Sequence, residues 1–287
     1  LYRVYEICGM GSPSSGGLTV GQILGILENF DLKEPVPSLK AAHLFIEASK
    51  LAYADRALYM GDKDFIKVPE MGLIDKGYLL NRAQLITDVS SGKATAGHPK
   101  GSEGLLRSLQ QQSERPGTTH YVVVDKYGNA ASVTSTIETG FGSRVMVGGF
   151  LLNNELTDFS FVPERNGRLI ANRVQGGKRP RSSMAPTVVL KGGKPFLITG
   201  SPGGSRIISY VARTIFNILE WGLDPQAALN SGHIVNRNGV TELEEGTDAI
   251  KLKEGLESLG HKVKIRNLNS GLHSCLLYTS DAADELR

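Results

Sequence analysis

Thr118 is the residue whose type and setting best suit nucleophilic chemistry. It belongs to the run Gly117-Thr118-Thr119-His120-Tyr121, where a polar stretch meets an apolar one. A threonine hydroxyl is a weak nucleophile without a base, and a cut in the preceding peptide bond would turn its own α-amine into that base. An α-amine has a pKa of about 7.7 to 8.0, which suits a general base near neutral pH. From this run alone, a threonine that simply starts an edge strand is the alternative interpretation.

Helical patterns precede Thr118. One helix is predicted where Thr19 and Gln22 have capping-box spacing ahead of an apolar run, and a second where Ser38 precedes a periodic segment. Between about residues 97 and 117 the sequence turns polar and loses its periodicity, which predicts an exposed linker.

Hairpin patterns follow Thr118. The predicted strands are 121–124 with 130–136, and 187–190 with 195–199. Arg206 to Trp221 then carries apolar residues at helical spacing, and Asp224-Pro225 opens a further helix. Strands joined by tight turns, with helices in separate runs, indicate an α+β layered sandwich.

The composition is that of an ordinary globular protein. The 287 residues include 32 Lys and Arg against 29 Asp and Glu, and a net charge of +3 is too small to argue for nucleic acid or membrane as a partner. Cys8 and Cys275 cannot form a disulfide framework. The apolar run 17–27 is shorter than the roughly 20 residues that a membrane span requires, so we interpret it as an ordinary helix.

Signatures of metal and cofactor binding are absent from the sequence. No two of the six histidines have metal-ligand spacing, and Cys-x-x-Cys does not occur. The run Ser91-Gly92-Lys93-Ala94 lacks the features of a nucleotide P-loop, and no Gly-x-Ser-x-Gly elbow is found. We therefore expect neither a metal nor another cofactor.

Seven motifs follow one another from residue 118 onward. They are Thr118-Thr119-His120-Tyr121, Gly128-Asn129-Ala130, Thr134-Ser135-Thr136, Phe141-Gly142, Leu151-Leu152-Asn153-Asn154-Glu155-Leu156-Thr157-Asp158-Phe159, Arg179-Pro180-Arg181-Ser182-Ser183-Met184-Ala185-Pro186-Thr187 and Gly200-Ser201-Pro202-Gly203-Gly204-Ser205-Arg206. In this order they closely resemble the γ-glutamyltransferase family of self-cleaving N-terminal nucleophile hydrolases. Pro13-Ser14-Ser15-Gly16-Gly17 and the helix after it resemble the family's large subunit before its cleavage point.

The resemblance covers about residues 5–274 and implies a fold and a division of the chain. The implied fold is an α+β, four-layer αββα sandwich, incomplete here at both ends. Residues 1–117 correspond to the C-terminal part of the large subunit, and 118–274 to the small, nucleophile subunit of the same domain. Residues 275–287 do not resemble the family's glycine-rich C-terminal strand, so we predict a non-native, disordered tail.

The resemblance also assigns catalytic roles. Thr118 matches the nucleophile, which forms a γ-glutamyl ester that water or an amine later takes up. Thr136 matches a threonine that hydrogen-bonds this nucleophile, and the backbone amides of Gly203 and Gly204 match the oxyanion hole. Without the family, Thr136 fits an ordinary strand position, and the two glycines fit a plain turn or a phosphate-binding nest.

Substrate-binding roles follow in the same way. A glutamyl group carries an α-ammonium and an α-carboxylate, so its site needs an anion near one and donors near the other. Glu155 and Asp158 match positions that hold the α-ammonium, and Ser182 with Ser183 match those that donate to the α-carboxylate. Taken alone, the two acids fit a solvated turn and residues 179–183 a basic loop.

Two features depart from the family pattern. Glu138 stands where many members carry asparagine, although some bacterial members have a similar residue at this position. Its carboxylate can still accept a hydrogen bond from the substrate amine. The difference therefore bears on substrate specificity more than on mechanism. The family's large subunit also supplies an arginine that clamps the α-carboxylate, from a segment that precedes the part matched by Leu1 onward. No matching segment occurs in this sequence.

The predicted function is hydrolysis or transfer of γ-glutamyl groups from glutathione and related amides, after self-cleavage between Gly117 and Thr118. The expected partners are a γ-glutamyl donor, an amino acid, peptide or water as acceptor, and the chain's own cleaved large subunit, without nucleic acid or metal. Alternatives are a glutaryl β-lactam acylase of the same fold, which the pair Glu155/Asp158 argues against, and a catalytically inactive fragment. The family resemblance further implies a periplasmic or extracellular location.

Overall fold

The computed structural model describes residues 1–32, 38–110, 117–268 and 270–277. Its helices are α1 (Gly16–Leu27), α2 (Leu39–Tyr59), α3 (Glu70–Leu73), α4 (Lys76–Ala83), α5 (Ile207–Trp221), α6 (Pro225–Asn230) and α7 (Lys253–Ser258). Its strands are β1 (Tyr5–Gly9), β2 (Arg107–Ser108), β3 (Thr118–Val124), β4 (Ala130–Thr136), β5 (Met146–Val147), β6 (Phe150–Leu151), β7 (Glu164–Arg165), β8 (Arg168–Ile170), β9 (Thr187–Lys191), β10 (Lys194–Gly200), β11 (Ile234–Asn236), β12 (Thr241–Glu244), β13 (Val263–Arg266) and β14 (His273–Leu276).

The central layer is a four-stranded antiparallel sheet in the order β1-β9-β10-β14. Its strand β1 comes from before Thr118, where Tyr5 pairs with Lys191, and its other three strands come from after it. The sheet therefore joins the two parts of the chain that lie on either side of the predicted cleavage point.

A second β layer is the hairpin of β3 and β4, in which Thr118 pairs with Thr136. It packs against β10, where His120 faces Gly200. A Cβ atom on Gly200 would lie only 2.2 Å from the His120 ring, so the two layers come this close because position 200 has no side chain. Both predicted hairpins are confirmed, with strands slightly longer than the sequence pattern indicates.

Helices α1 and α5 pack on the central sheet, α2 packs on α1, and the three helices form the main hydrophobic core with the sheet. Ser38 caps α2 through a bond from the Ala41 amide, as predicted. Helix α1 begins earlier than its predicted cap. Its N-cap is Ser15, and the Thr19 hydroxyl instead donates to the Ser15 carbonyl at 2.7 Å.

A smaller unit of β11, β12, β13 and α7 packs on α2 around a second apolar cluster. The helix predicted at Asp224-Pro225 is α6, and Asp224 caps it through the Ala227 amide. Within the described ranges, no helix has the length and apolar character of a membrane span.

The predicted tail is partly contradicted by the sheet. Cys275 and Leu276 lie in β14 and pair with Ile198 and Leu197 of β10, so the prediction of disorder is wrong for these two residues. The prediction of disorder was based on side-chain composition. Strand pairing is made by backbone N–H and C=O groups, which that composition does not describe. Residues 278–287 lie outside the described residues, as do residues 111–116 of the predicted linker.

Candidate active site

The structure brings the predicted site residues into one pocket. Its lining includes the catalytic and substrate-binding candidates Thr118, Thr136, Glu138, Glu155, Asp158, Ser182, Ser183 and Gly204. Gly203 precedes Gly204 in the chain and does not line the pocket itself. These residues come from β3, β4 and the segment directly after it, the 3₁₀ helix Glu155–Asp158, the segment before β9 and the turn before α5.

Thr118 and Thr136 lie opposite each other at the open end of the hairpin. The Thr118 hydroxyl donates to Thr136 Oγ1 at 3.3 Å, and the Thr136 hydroxyl donates to the carbonyl of Gly117 at 3.3 Å. The Glu138 amide also donates to Thr136 Oγ1, at 2.8 Å. Thr136 therefore connects the candidate nucleophile with the carbonyl of the peptide bond that precedes it.

Gly117 is packed too tightly for any side chain. A Cβ atom there would lie 2.0 Å from the carbonyl oxygen of Glu138. Glu138 itself has a φ of 75°, a conformation that residues other than glycine rarely adopt. The backbone after β4 thus lies directly against Gly117, beside the bond between residues 117 and 118.

The turn before α5 carries the two glycines predicted to form an oxyanion hole. Gly203 and Gly204 have φ values of 136° and 58°, and a Cβ on Gly203 would lie 2.7 Å from the Tyr210 ring. In the described part of the chain, neither glycine amide donates a hydrogen bond. Backbone N–H groups left free beside a pocket can stabilise negative charge that develops on a substrate oxygen.

Three carboxylates form the acidic side of the pocket. Burial, followed by the nearby charges of Asp158 and Glu138, raises the pKa of Glu155 to about 7. Glu155 Oε1 is buried and has no hydrogen-bond partner among the described residues. An ammonium group bound here would relieve the repulsion between the three acids.

Ser182 and Ser183 also line the pocket, and the segment that begins α1 holds them in place. The Ser15 amide and hydroxyl both donate to the Ser182 carbonyl, at 2.9 and 2.7 Å. The Ser14 hydroxyl donates to the Met184 carbonyl at 2.5 Å. This part of the site therefore depends on residues from both sides of Thr118.

The sequence patterns did not single out several residues that line the pocket. They are Arg56, Gln110, Arg181, Met184, Ser205 and Ile207. Arg56 lies inside the long periodic segment of α2, where spacing alone does not reveal a charged side chain that faces a cavity. Arg181 stands within one of the seven motifs, directly before the serine pair, and that position is the only signal for it.

His120 lies two residues from Thr118 but belongs to the core. It is 1% exposed, and its Nδ1 lies 2.8 Å from Thr134 Oγ1. Burial, followed by the charge of His273, lowers its pKa to about 4. His120 is therefore neutral near pH 7 and packs against Gly200, so it is not a candidate for the base beside Thr118.

A group of metal-ligating side chains lies outside this pocket. His43, Glu47 and His261 are buried, with ligand atoms within 4.8 Å of one another. His43 Nε2 donates to the Thr87 carbonyl at 2.7 Å, which leaves Nδ1 to accept from His261 Nε2 at 2.8 Å. The Lys50 ammonium binds Glu47 Oε1 at 2.5 Å, so the carboxylate already has a cation.

The search for histidine pairs in the sequence did not find this group. His43 and Glu47 lie on one face of a helix, and the second histidine, His261, is distant in sequence. We call His43, Glu47, Lys50 and His261 the helix cluster. Since its hydrogen bonds are made within the protein, we assign it to the fold.

Comparison with known proteins shows what the chain is similar to. A family model described as gamma-glutamyltranspeptidase matches residues 1–282. The glutathione hydrolase proenzyme of Escherichia coli strain K12 is 42% identical over 288 residues, covering 96% of this chain and 48% of that protein. That of Bacillus subtilis strain 168 is 41% identical over 271 residues, covering 91% and 45%. The chain thus spans about half the length of these curated relatives.

An acylase is also similar. The acylase ACY 1 proenzyme of Pseudomonas sp. strain SE83 is 37% identical over 265 residues, covering 91% of this chain and 44% of that protein. The similar proteins therefore include both glutathione hydrolase proenzymes and an acylase proenzyme.

Solved structures confirm the fold. A cephalosporin acylase from Bacillus halodurans matches with a TM-score of 0.79 at 24% identity, over 93% of this chain and 45% of that one. A gamma-glutamyltranspeptidase mutant of Helicobacter pylori matches with a TM-score of 0.52 at 35% identity, over 57% of this chain and 93% of that one. The predicted α+β sandwich of N-terminal nucleophile hydrolases is confirmed.

Proposed function

Because the chain belongs to the gamma-glutamyltranspeptidase family, we propose that it is the precursor of a two-chain enzyme that hydrolyses or transfers γ-glutamyl groups. In this proposal the bond between Gly117 and Thr118 is cut, and Thr118 becomes the N-terminal nucleophile. Glutathione and related γ-glutamyl amides are the donors, and water, an amino acid or a peptide is the acceptor.

The proposed cleavage begins with the hydroxyl of Thr118. Its oxygen attacks the carbonyl carbon of Gly117, and the hydroxyl proton passes to the departing amide nitrogen of Thr118. Thr136, whose hydroxyl already donates to the Gly117 carbonyl, stabilises the charge that develops on that oxygen. Water then hydrolyses the resulting ester, which leaves a carboxylate on Gly117 and a free α-amine and hydroxyl on Thr118.

The proposed turnover repeats this chemistry on a γ-glutamyl amide. The new α-amine takes the proton from the Thr118 hydroxyl, which attacks the γ-carbonyl carbon. The amide nitrogen leaves with that proton, and the γ-glutamyl group remains as an ester. Water or an amine then attacks the ester carbonyl, and the Thr118 hydroxyl is restored. The free amides of Gly203 and Gly204 would stabilise the oxyanion in both steps.

The observation that carries the proposal is that acids and hydroxyl groups line one pocket together. Glu138, Glu155 and Asp158 share this lining with the serine pair Ser182/Ser183 and with the hydroxyl of Thr118. A γ-glutamyl group presents an ammonium and a carboxylate on one carbon and its reacting carbonyl at the far end, which suits this arrangement.

The acylase reaction is the second candidate, because an acylase proenzyme is among the similar proteins. It would use the same nucleophile and the same glycine turn. A glutaryl group has no α-ammonium, so it would bring no cation to the buried Glu155 carboxylate, whose Oε1 has no hydrogen-bond partner among the described residues. The acidic side of the pocket therefore favours the γ-glutamyl substrate.

The intact mass of the purified chain after incubation near neutral pH tests the proposal. We expect two fragments that meet between Gly117 and Thr118, followed by release of glutamate from glutathione. A single uncut mass would overturn the proposed self-cleavage and support the inactive-fragment alternative. Cleavage with turnover of a glutaryl amide and none of glutathione would support the acylase.

A further inference from the structure

The glycine turn before α5 cannot fix its own direction. Gly203 and Gly204 have no side chains, and glycine adopts more backbone conformations than any other residue. An oxyanion hole is effective only if its amides already point to the place where negative charge develops. Ser205 and Arg206, which directly follow the two glycines, carry the side chains that can hold the turn.

Ser205 is held from two other segments of the chain. The hydroxyl of Tyr53, which is buried on α2, donates to the Ser205 carbonyl at 2.6 Å. Arg237, which directly follows β11, donates from Nη1 to Ser205 Oγ at 2.9 Å. Ser205 itself lines the pocket. The residue after Gly204 is therefore anchored through both its backbone and its side chain.

Glu242 of β12 connects the arginine that follows Ser205 with the arginine that binds it. The Glu242 carboxylate accepts from Arg206 Nε at 2.8 Å and from Arg206 Nη2 at 3.2 Å. These two bonds use both carboxylate oxygens, which fixes the plane of the guanidinium group. Arg237 Nη2 also donates to Glu242, at 3.4 Å. One carboxylate thus positions both arginines beside the glycine turn.

Glu242 has the setting of a rigid anchor. It is 5% exposed and lies on the middle strand of the three-stranded sheet β11-β12-β13. Burial would raise the pKa of Glu242, but the hydrogen bond from Arg206 and the charges of Arg237 and Arg266 hold it below its ordinary value. Glu242 is therefore ionised near neutral pH. Neither it nor the two arginines of the turn are among the described residues that line the pocket.

We propose that Glu242 is a positioning residue for the glycine turn. Through Arg206 and Arg237 it keeps the two glycine amides directed at the reacting carbonyl group of the substrate. This inference rests on the proposed function. It gives the smaller unit of β11, β12, β13 and α7 a part in the reaction, although Glu242 does not itself touch the substrate.

Glu242→Gln is the test variant, because it keeps the size of the side chain and removes its charge and one acceptor oxygen. Glutamate release from glutathione gives kcat, calculated per cleaved molecule from intact masses, and KM. We expect kcat to fall about tenfold to a hundredfold and KM to change by less than about threefold, since the turn acts on charge that develops in the transition state. Self-cleavage should keep its rate, because Thr136 binds the Gly117 carbonyl.

Glu244→Gln is the matched control. Glu244 lies two residues further along β12 on the same face, and its Oε2 accepts from the His233 amide at 2.9 Å. Its kcat and KM should stay within about twofold of the unmodified values. Arg237→Gln is the second test variant, which replaces Glu242→Gln if that protein lacks a cooperative thermal transition. It removes the bond to Ser205 Oγ, and kcat should fall at least about fivefold.

The outcomes separate this inference from the proposed function. If the unmodified chain turns over glutathione and the folded test variant keeps its kcat, the positioning role is wrong and the function stands. If the unmodified chain does not turn over glutathione, the γ-glutamyl function fails and the positioning role fails with it. An equal fall of kcat in Glu244→Gln, a parallel rise of KM or slower self-cleavage would indicate a general disturbance and overturn the role. Failure of both test variants to fold would show that Glu242 supports the whole fold, which also overturns a role confined to the turn.

Discussion

Two groups of buried charged side chains in this chain differ in how their polar atoms are satisfied. In the helix cluster, the hydrogen bonds run from Lys50 to Glu47 and from His261 to His43 and end on the Thr87 carbonyl. In the pocket, Glu155 Oε1 and Arg181 Nε are buried and have no partner among the described residues. One group is complete within the protein, and the other has capacity left for a ligand.

The difference explains which group is a candidate site. Each buried polar atom without a partner costs about 1–3 kcal/mol. Such atoms therefore need an explanation, and a bound ligand that pairs with them is one. Burial alone would raise the pKa of Glu47, but hydrogen bonds from Lys50 and Ser91 lower it below its ordinary value. The pKa of Glu155 has no such compensation and is raised. We therefore expect substitutions in the pocket to reduce function, and substitutions in the helix cluster to reduce stability.

The largest expected effect comes from Thr118→Ala. Removing the nucleophile should abolish cleavage and lower turnover by at least about a thousandfold, while Thr118→Ser keeps part of both. The free energy of unfolding should change by less than about 1 kcal/mol. Intact mass, glutamate release and denaturant titration measure the three quantities. Thr119→Ala, at the exposed neighbour, is the control, and normal cleavage in Thr118→Ala would contradict the assignment.

Lys50→Met should show the opposite behaviour. It leaves the Glu47 carboxylate buried without its ammonium partner, which should lower the free energy of unfolding by about 3–5 kcal/mol. Lys63→Met removes a lysine from the more exposed ion pair with Glu70 and should cost less than about 1 kcal/mol. Urea titration measures both. Equal effects in the two variants would show that the helix cluster is not a tightly coupled group.

Thr136→Val tests the link between the nucleophile and the scissile carbonyl. It removes the hydroxyl that donates to the Gly117 carbonyl, and we expect cleavage to slow by about tenfold to a hundredfold. Thr136→Ser keeps the hydroxyl and should cleave within a few-fold of the unmodified rate. A time course of intact masses gives both rates, and equal rates for the valine and serine variants would rule out this role.

The smallest effect is a pH dependence that distinguishes the pocket acids from the helix cluster. The pKa of Glu155 is raised to about 7, and an ammonium ligand binds best to the ionised carboxylate. The Kd for L-glutamate should therefore rise by up to about tenfold as the pH falls from about 8 to about 6. Glu155→Gln should weaken binding at the higher pH and flatten the profile. An unchanged slope in that variant would exclude Glu155 as the titrating group.

Much of the fold follows from local patterns, whereas the role of Thr118 as nucleophile came from the family resemblance and stays a prediction. The hairpin that begins at Thr118, the Ser38 cap and the helix 207–221 depend on nearest neighbours in sequence, so their patterns predict them well. The cap of α1 was missed because the Ser15 amide bonds to the distant Ser182 carbonyl, which no local pattern reports.

The charged lining of the pocket was harder to predict. Arg56 lies on a helix that is buried on nearly all sides, and its direction is fixed by Ser15 and Ser183 from two other segments. The roles of Glu155, Asp158 and the serine pair came from the family resemblance. Their presence in one pocket supports those roles, and the roles themselves stay predictions.

The central sheet, which takes β1 from before Thr118 and its other strands from after it, has a consequence for how the protein would refold. Before the cut, an unfolded molecule is one chain, and its refolding rate does not depend on protein concentration. After the cut, the two pieces of the sheet separate on unfolding and must meet again in solution, so refolding becomes second order. Efficient folding would therefore be possible only before cleavage, while the protein is still one chain. At high dilution the cleaved form would not refold, so its lifetime would be set by its unfolding rate.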